Sequence, residues 1–148
     1  MNPGQGSPYL ALASVSSTVG ETVTCRIDTL GYDFCSLAVT LTSTAASSNS
    51  PSALKISAGA TTTAASATDI TKLVGGGVGG FTIPSAQTNS TLAAQPLKFN
   101  IDLRGKQRYL FLTINVRTTQ TLTAFGELLR GEQSGTATLQ GCIALVEG

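Results

Sequence analysis

The sequence predicts an all-β domain: an antiparallel β-sandwich or jelly-roll-like barrel of about eight strands, with long small-residue loops. Two observations predict it. Apolar side chains recur at every second position in one run after another, which is the pattern of a strand with a single buried face. Glycine, proline and short polar clusters separate these runs at intervals suited to turn-linked strands, not to alternating strands and long helices. No internal repeat of 20–50 residues points to a stacked-repeat architecture instead.

Tyr9 to Thr18 and Glu21 to Thr29 read as strands divided at Gly20, the second carrying Val23, Cys25 and Ile27 on one side. Leu30-Gly31-Tyr32-Asp33 reads as a turn, and Phe34 to Thr42 as a strand with Leu37, Val39 and Leu41 inward. Ser43 to Ser52 is a small polar segment closed by Pro51, and Ala53 to Ser57 a short strand with Leu54 and Ile56 inward. Ala58 to Thr68 is rich in Ala, Thr and Ser. Asp69 to Val74 reads as one helical turn, with Asp69 as N-cap because its short side chain can accept from exposed N–H groups. Gly75 to Gly80 interrupts the chain, Phe81-Thr82-Ile83 is a brief strand ended by Pro84, and Ser85 to Gln95 is another small-residue loop.

Leu97 to Val116 carries the strongest pattern. Leu97, Phe99, Ile101 and Leu103 alternate with polar residues; after Arg104-Gly105-Lys106-Gln107 the alternation resumes at Leu110, Leu112, Ile114 and Val116. Two such runs joined by a short polar link containing glycine read as an antiparallel hairpin. Thr121 to Arg130 and Thr136 to Val146 complete the strands, joined across Gly131 to Gly135. Residues 1–148 read as a single β domain, with 1–8 as an N-terminal arm and 58–96 as a loop-rich insertion.

The composition suits a protein that holds contacts. Charged residues make up 11% of the chain, against roughly 25% in average soluble domains. The formal net charge is +1, so no bulk field draws the chain to nucleic acid or an anionic membrane. A surface of hydroxyls and methyls with so little charge offers weak repulsion against association. No basic n-region precedes an apolar stretch at the N-terminus, and no apolar run has the length of a membrane span. Asn89-Ser90-Thr91 has the form of a glycosylation acceptor but reads as a polar loop.

The catalytic inventory is thin. Histidine is absent, which rules out Ser–His–Asp chemistry in this chain and removes the commonest metal ligand. Cys25, Cys35 and Cys142 show no zinc-type spacing. A Cys25–Cys35 bridge across the intervening turn is conceivable, but alternation places both with their apolar neighbours and reads them as buried, reduced thiols. Gly75 to Gly80 satisfies GxGxxG formally, yet Phe81-Thr82-Ile83-Pro84 cannot open the helix that a dinucleotide site requires. A glycosidase needs two carboxylates across a cleft. Glu21, Asp28, Asp33, Asp69, Asp102, Glu127, Glu132 and Glu147 are the whole supply, and there is no Trp to form a sugar platform. Asp102, close to Arg104 and Lys106, reads as a surface ion pair. No metal or cofactor is expected, and no enzyme activity.

Lys98, Arg104, Lys106, Arg108 and Arg117 form a locally basic zone around the Leu97–Val116 segment. They read as partner-contact residues in an inter-subunit salt-bridge patch; the plain alternative is a solvated hairpin tip. Without interleaved exposed aromatics, the case for a specific nucleic-acid platform is weak. A ligand- or carbohydrate-binding β-module is the competing class of function, and it would have to draw its aromatic lining from Tyr9, Tyr32, Phe81 and Tyr109.

The pattern Phe99-x-x-Asp102-Leu103-Arg104-Gly105-Lys106-x-Arg108-Tyr109-Leu110-x-Leu112, with Thr118-Thr119-x-Thr121 and Leu129-Arg130-Gly131-Glu132, resembles small β-rich virion proteins of tailed bacteriophages. Asp28-Thr29-Leu30-Gly31-Tyr32-Asp33 is similar to their first strand and turn. The resemblance covers about half the chain. It implies a structural virion protein: a capsid decoration or cement protein on the capsid surface, made in the bacterial host cytoplasm and stabilising the head through inter-subunit contacts. A jelly-roll capsid or vertex subunit, or a tail component, is the alternative within that class. The implied partners are the major capsid protein or other virion subunits, together with further copies of this chain, a trimer being favoured. Met1 to Pro8, Ala58 to Ala67 and Gly75 to Gly80 are the expected contact segments. No membrane partner is implied.

Overall fold

The alternating runs become strands in the computed structural model, which describes residues 9–17, 20–43, 51–84, 87–88, 96–117, 119–129 and 144–147. In chain order they are β1 (Tyr9–Ser17), β2 (Thr22–Asp28), β3 (Phe34–Ser43), β4 (Ala53–Gly59), β5 (Thr68–Val74), β6 (Gln87–Thr88), β7 (Leu97–Asp102), β8 (Tyr109–Asn115), β9 (Gln120–Leu129) and β10 (Ala144–Glu147). They form two sheets. Sheet A has the order β1-β9-β3-β7-β10, with the two-residue β6 also against β3; sheet B has the order β2-β8-β4-β5. Pairing is antiparallel except for β6 on β3 and β10 on β7, which are parallel.

The order follows a simple rule once β6 and β10 are set aside. The first remaining strand pairs with the last (β1·β9), the second with the seventh (β2·β8), the third with the sixth (β3·β7) and the fourth with the fifth (β4·β5). A long antiparallel ribbon wrapped so that successive pairs fall alternately in two sheets is a jelly roll. The two sheets remain separate and face each other as an open sandwich, so the closed-barrel alternative does not apply.

The core lies between the sheets and is filled from both sides by the residues that alternation marked. Sheet A supplies Leu37, Val39, Leu97, Phe99, Ile101 and Leu122; sheet B supplies Ile27, Leu54, Ile56, Leu110, Leu112 and Ile114. Val23, read as inward, packs against this cluster while partly buried.

The Leu97–Val116 segment is not a hairpin. β7 pairs with β3 and β10 in sheet A, whereas β8 pairs with β2 and β4 in sheet B. The link between them crosses from one sheet to the other. Its course is held by Leu103 N–H donating to Asp33 O (2.8 Å), Lys106 N–H to Leu103 O (3.0 Å) and Thr29 N–H to Arg108 O (2.9 Å). The Thr29 hydroxyl, on a buried residue, donates to the same Arg108 carbonyl at 2.6 Å. Period-two patterning shows which side of each strand is apolar and says nothing about which strand lies beside it. Across the crossover, the two apolar rows meet face to face over the core. In a hairpin they would lie side by side on one sheet. The same ambiguity applies downstream: β10 runs along β7, with Ala144 opposite Leu97, not along β9. The rest of the Thr136–Val146 run lies outside the described residues, as do the 1–8 arm and Asn89-Ser90-Thr91.

Asp69 to Val74 is not a helical turn. It belongs to β5, at the edge of sheet B, so the 58–96 stretch read as a loop-rich insertion contains a strand of the sandwich. Thr68, Ile70, Thr71 and Val74 are β-branched and favour a pleated, half-buried surface over a helix. Leu73 is fully buried in the core. Asp69, instead of capping a helix, forms an ion pair with Lys55 of β4 at 2.9 Å.

Gly75 to Gly80 is a tightly packed turn. A Cβ on Gly75 would fall 2.3 Å from Ile83 Cγ1, and one on Gly80 only 1.8 Å from the Val74 carbonyl oxygen. Gly76 N–H donates to Phe81 O at 2.8 Å and closes the loop. Glycine is required there because chain meets chain.

The sandwich depends on packing across the core. Leu112→Ala should cost about 2–5 kcal/mol, measured by urea denaturation; a loss below about 1 kcal/mol would show that the facing rows are not in close contact.

Candidate functional site

The crossover between β7 and β8 gathers three of the five basic residues into a fixed arrangement. Arg108 holds Asp28 with two hydrogen bonds, Nε to Oδ1 at 2.9 Å and Nη2 to Oδ2 at 2.6 Å. Arg104 holds Asp102 in the same forked way, at 3.0 and 2.9 Å. Lys106 lies close enough to add its charge to the field around Asp102. The guanidinium of Arg104 lies 5.1 Å from the Phe34 ring centre, and those of Arg108 and Arg26 lie 5.0 and 6.0 Å from that of Tyr109. Such cation–ring contacts orient the planar guanidinium over the aromatic face. Lys98 and Arg117 are not part of this group. Lys98 lies on the outer face of sheet A near the start of β7, and Arg117 is exposed just beyond the end of β8.

Both carboxyls are held well below the usual carboxylate range. The hydrogen bonds from the Arg108 side chain bring Asp28 down to about 2, and those from the Arg104 side chain, reinforced by its backbone N–H, bring Asp102 down to about 2. The charges at this end of the sandwich are therefore largely paired among themselves.

The two outer faces differ in chemistry. Sheet B carries Arg26, Asp28 and the Lys55–Asp69 pair outside, and buries Phe111 and Ser57 on that same side. There the segment holding the 3₁₀ turn Ala64–Ser66 packs over the ring: Ala67 and an edge atom of Phe111 both lie against Gly59. Sheet A is different. Along β3 and β9 its outward positions pair Thr42 with Thr121, Thr40 with Thr123, Ala38 with Phe125 and Ser36 with Glu127. β7 adds Lys98 beside Ala38, Asn100 beside Ser36 and, at its end, the ion-paired Asp102 beside Phe34. The Thr40 and Thr42 hydroxyls turn back onto the carbonyls of Thr123 and Thr121, both at 3.4 Å, and so present their methyls outward.

A shallow open groove of about 220 Å³ crosses this face, lined by Ser36, Ala38, Pro96, Lys98, Phe125, Gly126 and Glu127. Gly126 contributes backbone to the groove, and on the core side its lack of a side chain leaves room for Leu37, whose Cδ2 would lie 2.6 Å from a Cβ there. Lys98 and Glu127 stand on opposite sides of the groove, on β7 and β9. Each lacks an ion-pair partner among the described residues. The Glu127 position is absent from the basic zone read in the sequence; its outward parity against Leu122, Ala124 and Leu128 was the available signal.

Cys25 and Cys35 are free thiols, buried from opposite sheets. Burial raises both, Cys35 to about 12, so neither is a ready nucleophile at neutral pH. The aromatics proposed for a ligand site are dispersed. Phe81 packs edge-to-face on Phe99 at 5.4 Å, Tyr32 is partly buried against the core, and Tyr109 lies beside Arg26 and Arg108 on sheet B. The Tyr9 side chain and Cys142 lie outside the described residues.

These features define a jelly-roll β-sandwich in which sheet B carries two ion pairs on its outer face and sheet A carries one at its end beside a hydroxyl-bearing stretch along β3 and β9. No family model, no curated protein and no solved structure matches the chain. Among the described residues, no helix is long and apolar enough to cross a membrane.

Two measurements check this description. At pH 8 under native conditions at most one of the three thiols should react with a disulfide reagent, and all three after denaturation; rapid native reaction of two or more contradicts the burial of Cys25 and Cys35. The carboxyl shifts carry a sign. Folded Asp28 and Asp102 bind fewer protons than their unfolded forms between about pH 4 and pH 2, so their stabilising contribution is complete above about pH 4 and disappears as pH falls toward 2. Urea midpoints across that window should fall less steeply for Asp28→Asn/Asp102→Asn than for the parent chain, and equal slopes would refute the pairing.

Proposed function

We propose that this protein is a structural virion component: a decoration or cement protein that stabilises a bacteriophage head by adhering to assembled subunits. The observation that carries the adhesive part of this reading is the asymmetry of the sandwich. The outer side of sheet B is occupied by the Asp28–Arg108 and Lys55–Asp69 pairs and a segment folded over Phe111, whereas on sheet A the paired charge is confined to Asp102–Arg104 at one end and the β3–β9 stretch presents threonine methyls, Ala38 and Phe125. A face of this composition loses little on desolvation, since the Thr40 and Thr42 hydroxyls already have acceptors within the sheet. The virion setting comes from the sequence pattern around Asp102-Leu103-Arg104-Gly105-Lys106 and Arg108-Tyr109-Leu110.

A cement protein stabilises a shell by mass action, which requires that it bind the assembled geometry more tightly than free subunits. The Gly75–Gly80 turn suits such contacts, because it is locked in shape and carries Val78 fully exposed at its tip. The paired Arg104 and Arg108 would act at the rim of a contact, favouring orientation over affinity. One observation favours a second reading, a shell or vertex subunit: the jelly-roll strand order is shared with viral capsid domains, although lectins and cupins share it too and fold alone does not assign a role.

The deciding experiment is quantitative composition of purified phage particles that encode the chain. A fixed copy number relative to the main shell protein, with addition of the purified chain to heads already expanded, supports the cement role. Self-assembly into closed shells or pentamers supports the second reading. Recovery only as a species that never sediments with particles overturns both.

A further inference from the structure

The groove on sheet A has the charge arrangement of a self-complementary surface. Lys98 on β7 and Glu127 on β9 lie two strands apart and two residues out of level, about 12 Å, with the small residues Ser36 and Ala38 of β3 between them. They are the two charged residues that line the groove; beyond it, Glu147 of β10 is in register with Asn100, and Asp102 pairs with Arg104 at the end of β7. We propose that a second copy of this chain docks here, sheet A against sheet A, about a twofold axis lying in the interface and crossing midway between Lys98 and Glu127. The inference rests on the adhesive reading of this face and names its partner.

The geometry follows from symmetry. A twofold contact uses the same patch on both copies, so a surface carrying one cation and one anion can satisfy both at once. Turning one copy about such an axis brings its Lys98 over the other copy's Glu127, and its Glu127 over the other's Lys98. Phe125, Ala38 and the methyls of Thr40 and Thr42 then lie within the covered area. The area is sufficient: four strands at ~4.8 Å spacing, with strand lengths of ~30 Å, give roughly 600 Å² per copy, at the lower end of stable protein interfaces. The two ion pairs set register and orientation more than they add affinity, while burial of the methyl and phenyl surface supplies the attraction.

Equilibrium sedimentation of the purified full chain tests this through a charge swap. The parent chain should dimerise reversibly. Lys98→Glu and Glu127→Lys should each weaken dimerisation by about tenfold or more, because each places two like-charge contacts across the axis. The double variant K98E/E127K should recover to within about threefold of the parent, since it restores both pairs with their signs exchanged. Matching thermal melts of the monomeric forms show that the variants fold. A chain that stays monomeric, an isolated trimer, single variants that dimerise like the parent, or a double variant no better than the singles would each overturn the pairing. Co-sedimentation with phage heads is read separately. A chain that binds heads without dimerising overturns the pairing alone, and a dimer with the expected swap behaviour supports the pairing even where head binding fails.

Discussion

Each long strand of this chain has one apolar row and one polar row, and the apolar rows have nowhere to go except against one another. Phe99 and Ile101 from sheet A meet Leu110, Leu112 and Ile114 from sheet B in a single layer from which water is excluded. Most of the structure answers to that constraint. β7 and β8 separate into opposite sheets, the link between them is pinned by Thr29 and Asp33, and Gly126 keeps β3 and β9 close enough for Leu37 to lie in the core. The core contributes nothing to chemistry directly. It supplies two rigid surfaces whose outward residues are free to specialise.

They do so in opposite ways. On sheet B, the forked Arg108–Asp28 pair, the Lys55–Asp69 pair and a folded-over segment cover the exterior, and the forked pair ties elements distant in sequence: Asp28 and Arg108 are held together across the sheet by β2 and β8. Sheet A has a stretch of alternating threonines beside a groove with one cation and one anion. A protein with a charged fraction of 11% cannot cover all its surface with charge. Away from the Asp102–Arg104 pair at its end, the β3–β9 stretch of sheet A is left nearly neutral, and a neutral methyl-bearing surface is better suited to association than to solvation. This is why the virion reading is a reading about adhesion and not about catalysis.

The period-two runs were legible because strand burial is a local property, settled by side-chain direction along one strand. Cys25 and Ile27, Leu37 and Val39, Leu54 and Ile56 are all inward where alternation placed them. The turn at Gly31 was legible as well, whereas the steric need for glycine at Gly75 and Gly80 comes from the approach of Ile83 and the Val74 carbonyl. Partnership was not. Nothing in Leu97–Val116 distinguishes a hairpin from a crossover, because both bury the same residues. Asp69–Val74 reads as a helical turn because Asp69 is a good cap in isolation, and the Lys55 that pairs with it lies on another strand.

The candidate site divides along the same line. The five basic residues could be named from the chain, and so could the local Asp102–Arg104 pair two residues apart. That Arg104, Lys106 and Arg108 share one end of the sandwich while Lys98 and Arg117 lie elsewhere was decided by the crossover. The opposition of Lys98 and Glu127 across β3 was decided by the order β9-β3-β7. By itself the sequence determined the all-β class, the inward rows and the poverty of catalytic groups, since each depends on residue type and near neighbours. Only the tertiary structure decided which sheet each strand joined and which charges came to face each other, because pairing between distant strands is chosen by how the whole set of apolar rows can be buried at once.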